Sequence, residues 1–104
     1  MTEHFYFRNH LCIATELLSI NLYELIKANS FAGFTTTLIR RFTVQLLQSL
    51  ILMRHHRIVH CDLKPENVLL SHPSKSGIKV IDFGSSCFEH EKGESHTRTY
   101  LLER

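Results

Sequence analysis

The chain has 104 residues, 43% of them hydrophobic and 21% charged, and a formal net charge of +2; this suits one small domain or part of a larger one, not wholesale disorder. Its basic residues are scattered (Arg40–Arg41, Arg54, Arg57, Lys64, Lys75, Lys79), which argues against the dense basic stripe of a nucleic-acid binder, and no apolar run approaches the ~20 residues that span a bilayer. Three cysteines, Cys12, Cys61 and Cys87, are too few and too odd in number for a disulfide framework and favour a reducing compartment.

The first residues, Met1 to Arg8, show no apolar stretch or cleavage pattern of a secretion signal. Aromatic-rich His4 to Phe7 and then Leu11 to Glu16 suggest two strands joined by a turn at Arg8-Asn9-His10, a hairpin. Leu22 to Lys27 suggests a short helix with Asn21 as its N-cap, followed by a loop through Gly33. From Thr35, a natural cap, the apolar positions Leu38, Ile39, Phe42, Leu46, Leu47, Leu50 and Met53 recur at spacings of three and four. They predict a long amphipathic helix ending near His55–Arg57, where basic residues suit the negative end of the helix dipole.

The rhythm then changes. Ile58-Val59 is a stub of strand, and His60 to Asn67 a polar loop interrupted by Pro65. Val68-Leu69-Leu70 and Ile78 to Ile81 are short apolar strands around a turn rich in Pro, Ser and Gly, which predicts a second hairpin. Beyond Gly84 the sequence is polar and without period, and the expectation is poor order. Eight histidines do not make a metal site, because neither an H-E-x-x-H nor a C-x-x-C spacing occurs.

Two short motifs carry the chemistry. The first is His60-Cys61-Asp62-Leu63-Lys64-Pro65-Glu66-Asn67; the second is Asp82-Phe83-Gly84, just after a strand. A hydroxyl must be positioned and relieved of its proton, and developing negative charge must be offset. One carboxylate serves the hydroxyl, a second carboxylate and an amide hold magnesium through hard oxygen ligands, and a lysine meets the phosphoryl group. A lone Asp-Phe-Gly is weak. His-x-Asp with Lys two residues and Asn five residues after Asp62, followed by a hairpin that delivers Asp82, has the order and context of the protein-kinase signature. Gly84 is expected to supply the sharp turn at Asp82.

On these residues the chain resembles the middle of a protein kinase domain. It resembles most closely the dual-specificity tyrosine-phosphorylation-regulated kinases, or DYRK family. The likeness rests on Phe7-Arg8-Asn9-His10-Leu11-Cys12, Asn21-Leu22-Tyr23-Glu24-Leu25-Ile26-Lys27, the His60–Asn67 motif with its cysteine where most kinases carry arginine, and Val80-Ile81-Asp82-Phe83-Gly84-Ser85-Ser86-Cys87. The fold implied is an α+β, two-lobed kinase fold, present in part: small-lobe hairpin and hinge at 4–19, large-lobe helices and catalytic loop at 20–84, and the start of the activation segment at 85–92. Residues 93–104 are expected to form a divergent, disordered tail.

The resemblance implies transfer of the ATP γ-phosphate to a protein hydroxyl of Ser or Thr, with Tyr open. Asp62 would be the catalytic aspartate and Lys64 would meet the γ-phosphate; Asn67 and Asp82 would hold Mg2+. Glu16 and Leu18 would bond the adenine edge through their backbones, Leu69 and Ile81 would flank the base, and Asn21 would reach the ribose. Asn21 as a plain cap, and Leu69 and Ile81 as plain core, are the alternatives. Thr15 would stand at the back of the nucleotide pocket, where the family usually carries phenylalanine. His60 and Phe83 would belong to an apolar spine. Cys61 and Cys87 would lie close enough for a reversible disulfide, with two reduced thiols as the favoured state. Cytoplasm and nucleus are both compatible, with no membrane or nucleic-acid partner expected.

A Gly-rich loop, a strand lysine with its helix glutamate, an Ala-Pro-Glu motif and a Tyr-x-Tyr activation motif are all absent from these 104 residues. The expectation is therefore an incomplete domain, inactive in isolation. The alternatives are a truncated fragment that acts as an interaction or competitor module, or an incomplete gene model. Hiding three leucines of the long helix is worth roughly 5–9 kcal/mol, comparable to a whole domain's stability of ~5–15 kcal/mol. Marginal stability, chaperone dependence or self-association is expected.

Overall fold

The computed structural model describes residues 2–89. Strands β1 (Glu3–Phe7) and β2 (His10–Ala14) pair antiparallel, with Glu3 opposite Ala14 and Phe7 opposite His10. Arg8 and Asn9 both have positive φ, 50° and 63°, the two-residue turn whose twist matches that of a hairpin. The predicted hairpin is thus present, with β2 ending at Ala14 instead of Glu16.

Residues 15–21 run out of this hairpin as extended chain and lie along the second one. The Ser19 amide donates to the Leu70 carbonyl at 2.8 Å, the Leu70 amide to Ile20 at 2.9 Å, and Asn21 bridges Leu69. Helix α1 (Leu22–Ala28) follows at once, and the Asn21 Oδ1 accepts the Glu24 amide at 2.7 Å. Helix α2 (Thr36–His55) is capped by the Thr35 hydroxyl, which accepts the Leu38 amide. Both caps stand where the sequence places them, because a short oxygen-bearing side chain in extended backbone meets an orphan N–H.

Strand β3 (Ile58–Val59) leads into the loop, whose end is a 3-10 turn at Pro65–Asn67. Strands β4 (Val68–Leu70) and β5 (Ile78–Val80) form the second hairpin. The last strand, β6 (Cys87–Phe88), pairs antiparallel with β3, Val59 facing Cys87. Here the structure departs from expectation: the segment just beyond Gly84 is tied to β3 by strand pairing. The polar residues after Gly84 conceal a two-residue pairing whose partner lies far away in sequence. The proposed tail at 93–104 lies outside the described residues.

The core is small. Phe42 and Met53 of α2 and Val68 and Leu70 of β4 are its buried apolar residues, joined by the buried polar pair His60 and Asn67. Of the predicted α2 stripe, Phe42 and Met53 are buried and Leu38 and Leu46 half-buried, while Ile39, Leu47 and Leu50 remain exposed. Gln45 fastens α2 to the second hairpin: its amide donates to the Ser76 carbonyl at 2.8 Å and its oxygen accepts the Ile78 amide at 2.9 Å.

Candidate active site

The site is built where the loop after β3 meets the residues after β5. His60 is its hub and is 4% exposed. Its Nδ1 accepts the Asp62 amide at 3.1 Å, so the ring proton sits on Nε2, which donates to the Ile81 carbonyl at 2.8 Å. The Phe83 ring stands edge-on to the imidazole, 4.8 Å between centroids. One side chain therefore sets the spacing of both motifs, since Asp62 is two residues after it and Asp82 follows Ile81. The two residues for which the resemblance implies a place in an apolar spine are thus in ring contact.

Cys61, between His60 and Asp62, has φ 70°. A residue with a Cβ is strained there, at a cost on the order of 1–3 kcal/mol, and persists because its surroundings hold it. The kink turns Asp62 towards Asn67. The Asn67 amide donates to the Asp62 carbonyl at 2.8 Å and lies 3.4 Å from its carboxylate Oδ2; the Lys64 ammonium is 3.7 Å from the same oxygen. The Asn67 carbonyl in turn accepts the Ile81 amide at 2.9 Å. Asp62, Lys64 and Asn67 are thus together, and Asp82 directly follows Ile81, whose backbone is bonded to both His60 and Asn67.

The turn at Asp82 differs from expectation. Asp82 itself takes the left-handed conformation, φ 62°, and Gly84 does not. What Gly84 provides is room: a Cβ there would stand 3.2 Å from the Asp82 Oδ1, and its amide lies 3.3 Å from that oxygen. Ser86 closes the turn, its amide and hydroxyl both donating to the Phe83 carbonyl.

Beside these residues opens a cleft of about 580 Å³ lined by Thr15, Glu16, Leu17, Leu18, Leu69, Lys79, Val80, Ile81 and Phe83. Four residues predicted to meet the nucleotide, Glu16, Leu18, Leu69 and Ile81, share this cleft, as does Thr15. Among the described residues the peptide groups of Leu17 and Leu18 make no backbone hydrogen bond, which leaves them available to a planar polar edge. Asn21 does not line the cleft; its side-chain oxygen caps α1.

Lys79 and Gln45 were not singled out from the sequence. The Lys79 ammonium pairs with the Glu16 carboxylate across the cleft. The signal was faint: a lysine between Ile78 and Val80 on a short strand looks like any solvent-facing residue. Both partners are half exposed, so the pair adds little stability.

Cys61 and Cys87 place their sulfurs 3.8 Å apart, with all three cysteines reduced. Burial pushes the Cys61 thiol above its ordinary value, helped by the hydrogen bond to Cys87 and by the charge Cys87 can carry. Among the described residues no cluster of three His, Cys, Asp or Glu side chains could hold a metal by itself. Asn67 and Asp82 each carry the side-chain oxygen that a hard cation prefers as a donor. No helix among the described residues is long and apolar enough to cross a membrane.

A loop aspartate tied to lysine and asparagine, a second aspartate at the end of the next hairpin, and an apolar cleft beside them stand in the order and context of the protein-kinase signature. The family model of the protein kinase domain matches residues 1–102, and the chain belongs to that family. Kinases of the DYRK type are among its relatives. It is 63% identical to the DYRK-family kinase pom1 of Schizosaccharomyces pombe over 90 residues, 86% of this chain and 8% of that protein. It is 61% identical over its whole length to human dual specificity tyrosine-phosphorylation-regulated kinase 3, covering 17% of it, and 55% identical to human dual specificity tyrosine-phosphorylation-regulated kinase 4, covering 19%. The chain thus spans less than a fifth of the length of these relatives. The match runs beyond Lys92, where the family likeness was expected to end, into residues 93–102.

Proposed function

We propose that the protein containing this stretch is an ATP-dependent kinase of serine/threonine or dual-specificity type, which phosphorylates protein hydroxyls of Ser or Thr, with Tyr open. The observation that carries this proposal is the double hydrogen bond of His60, which joins the backbone at Asp62 to the backbone before Asp82. That link couples the two loops that carry the carboxylates, which supports a reading in which both act on one transferred group.

In this mechanism Asp62 holds the substrate hydroxyl and takes its proton on a carboxylate oxygen. Lys64, 3.7 Å from that carboxylate, is placed to offset charge on the γ-phosphate. Asn67 commits its amide nitrogen to the Asp62 carbonyl, so its oxygen is the atom left to face a cation; the Asp82 carboxylate is the second donor. Magnesium, when bound, supplies neutralisation of the phosphate charge. The peptide groups at Glu16 and Leu18 meet the adenine edge, and Leu69 and Ile81 meet its faces. Asn21, whose oxygen is engaged in the cap, offers its amide nitrogen to the ribose. The cytoplasm and nucleus, both used by the family, are the compartments assigned to it.

The test uses the whole protein, labelled ATP, magnesium and a set of Ser- and Thr-containing peptides. Asp62→Asn is expected to lower kcat by ~10²–10⁴. ATP with magnesium at a hundredfold excess over Kd should stabilise the fold by about 2.7 kcal/mol, and Asp82→Ala should abolish that gain. Full transfer by Asp62→Asn would overturn the assignment.

A further inference from the structure

Directly opposed residues of a hairpin are side-chain neighbours on one face of the sheet. In the second hairpin Leu69 stands opposite Lys79, and both line the cleft together with Ile81. Of these three, Lys79 alone is charged, and its ammonium reaches across the cleft to the Glu16 carboxylate.

The wall that carries Glu16 has little else to hold it. Strand β2 ends at Ala14, and the next backbone bond along the chain is that of Ser19 to Leu70. Between them, residues 15–18 make no backbone–backbone hydrogen bond among the described residues. Among the described residues, no other hydrogen bond or ion pair joins residues 2–18 to the rest of the chain. An exposed ion pair adds little to global stability. A tie in the middle of an otherwise unbonded run does something different: it restricts where the peptide groups on either side of Glu16 stand. Groups ordered before a ligand arrives cost less to order when it binds.

We propose that Lys79 is a positioning residue for the nucleotide: its ion pair with Glu16 fixes the peptide groups at Glu16 and Leu18 relative to Leu69 and Ile81, and so sets the affinity for the adenosine moiety without entering the transfer step. The inference rests on the kinase reading above and adds to it a residue that acts through Glu16 and meets neither phosphate nor metal.

The test uses the whole protein and measures adenosine, an uncharged probe, as a competitor of ATP, together with KM and kcat for ATP. Lys79→Met keeps an unbranched side chain and removes the charge. It should raise the inhibition constant of adenosine and the KM for ATP by the same factor, about threefold to fivefold, with kcat retained at saturating ATP. Glu16→Gln should do the same, and Lys79→Met added to Glu16→Gln should have no further effect. Lys79→Arg, which keeps the pair, should stay close to the unaltered protein. Both positions are exposed, so an unchanged thermal midpoint certifies the variants as folded. A loss for ATP without one for adenosine would put Lys79 on the phosphates. Unchanged adenosine inhibition in Lys79→Met, or an equal loss in Lys79→Arg, would make the pair a surface contact only. Each of these results overturns the proposal. If the unaltered protein transfers no phosphate and adenosine does not compete, the kinase reading itself falls, and the inference with it.

Discussion

The Nε2 of His60 lies 2.8 Å from the carbonyl oxygen of Ile81, which makes a buried imidazole the strut between the catalytic loop and the strand before Asp82. His60→Phe keeps an aromatic ring beside Phe83 but removes the hydrogen bonds from His60 to the Ile81 carbonyl and from the Asp62 amide to His60. Each unpaired group costs ~1–3 kcal/mol. The expected result is a lower urea midpoint at unchanged slope, together with a fall in kcat that persists under conditions where the variant is fully folded. A variant that loses stability and keeps kcat would make His60 a packing residue only.

Gln45 makes a comparable strut at the other end of the hairpin. Gln45→Ala strands the Ile78 amide and the Ser76 carbonyl and should destabilise the protein by about 1–3 kcal/mol. Gln45→Glu keeps the acceptor for Ile78 and loses the donor to Ser76, so its midpoint should fall between those of wild type and Gln45→Ala. Hydrogen exchange at Ile78 would follow the same order. Equal protection at Ile78 in all three proteins would show that the hairpin stands without this clamp.

The elements that depend on near neighbours were legible in the sequence. Asn21 and Thr35 cap their helices three residues away, Arg8-Asn9 makes the turn next to it, and the spacing from His60 to Asn67 names the loop's chemistry without any contact being known. What stayed hidden depends on distant partners. The pairing of β6 with β3 and the reach of Gln45 to Ser76 and Ile78 join residues about thirty positions apart, and no local pattern announces them. The left-handed turn at Asp82 was assigned to Gly84 because glycine is the usual occupant of such backbone; here the geometry is imposed on an aspartate by the bonds around it.

The outer face of α2 is the weakest part of these 104 residues. Val44, Leu47 and Ile51 are 48%, 53% and 68% exposed and recur at helical spacing, a contiguous apolar strip of the kind that soluble monomers rarely leave open. Residues 1–104 expressed by themselves should self-associate in a concentration-dependent way by sedimentation velocity. Leu47→Glu with Ile51→Glu should restore the monomer, since both side chains are outside the core. A monodisperse monomer of the unaltered 104-residue chain would show that the strip does not drive association.

Cys87 of β6 lies opposite Val59, and Cys61 lies two residues beyond Val59; their sulfurs are 3.8 Å apart, while a disulfide needs about 2.05 Å. A small approach would close the bond, but Cys61 is poorly activated: burial first, and then Cys87, raise its thiol above the ordinary value of 9.0. The thiolate is the attacking species, so exchange with oxidised glutathione should be slow near neutral pH and accelerate as the pH rises past 9.0. One cysteine thiolate takes up a glutathione sulfur and releases the other as thiolate. The second cysteine, as thiolate, then displaces the remaining glutathione, and the protein loses two hydrogens in all. The same shift has a consequence for stability. A thiol whose value is raised by folding keeps its proton longer in the folded state, so its contribution holds below the unfolded value and is lost as pH climbs through the raised one. Peptide mapping after alkaline treatment with oxidised glutathione should recover a linked Cys61–Cys87 peptide, absent in Cys87→Ser, with Cys12 carrying glutathione alone. Glutathione on Cys12 with no linked peptide at any pH would mean the two thiols face each other and never join.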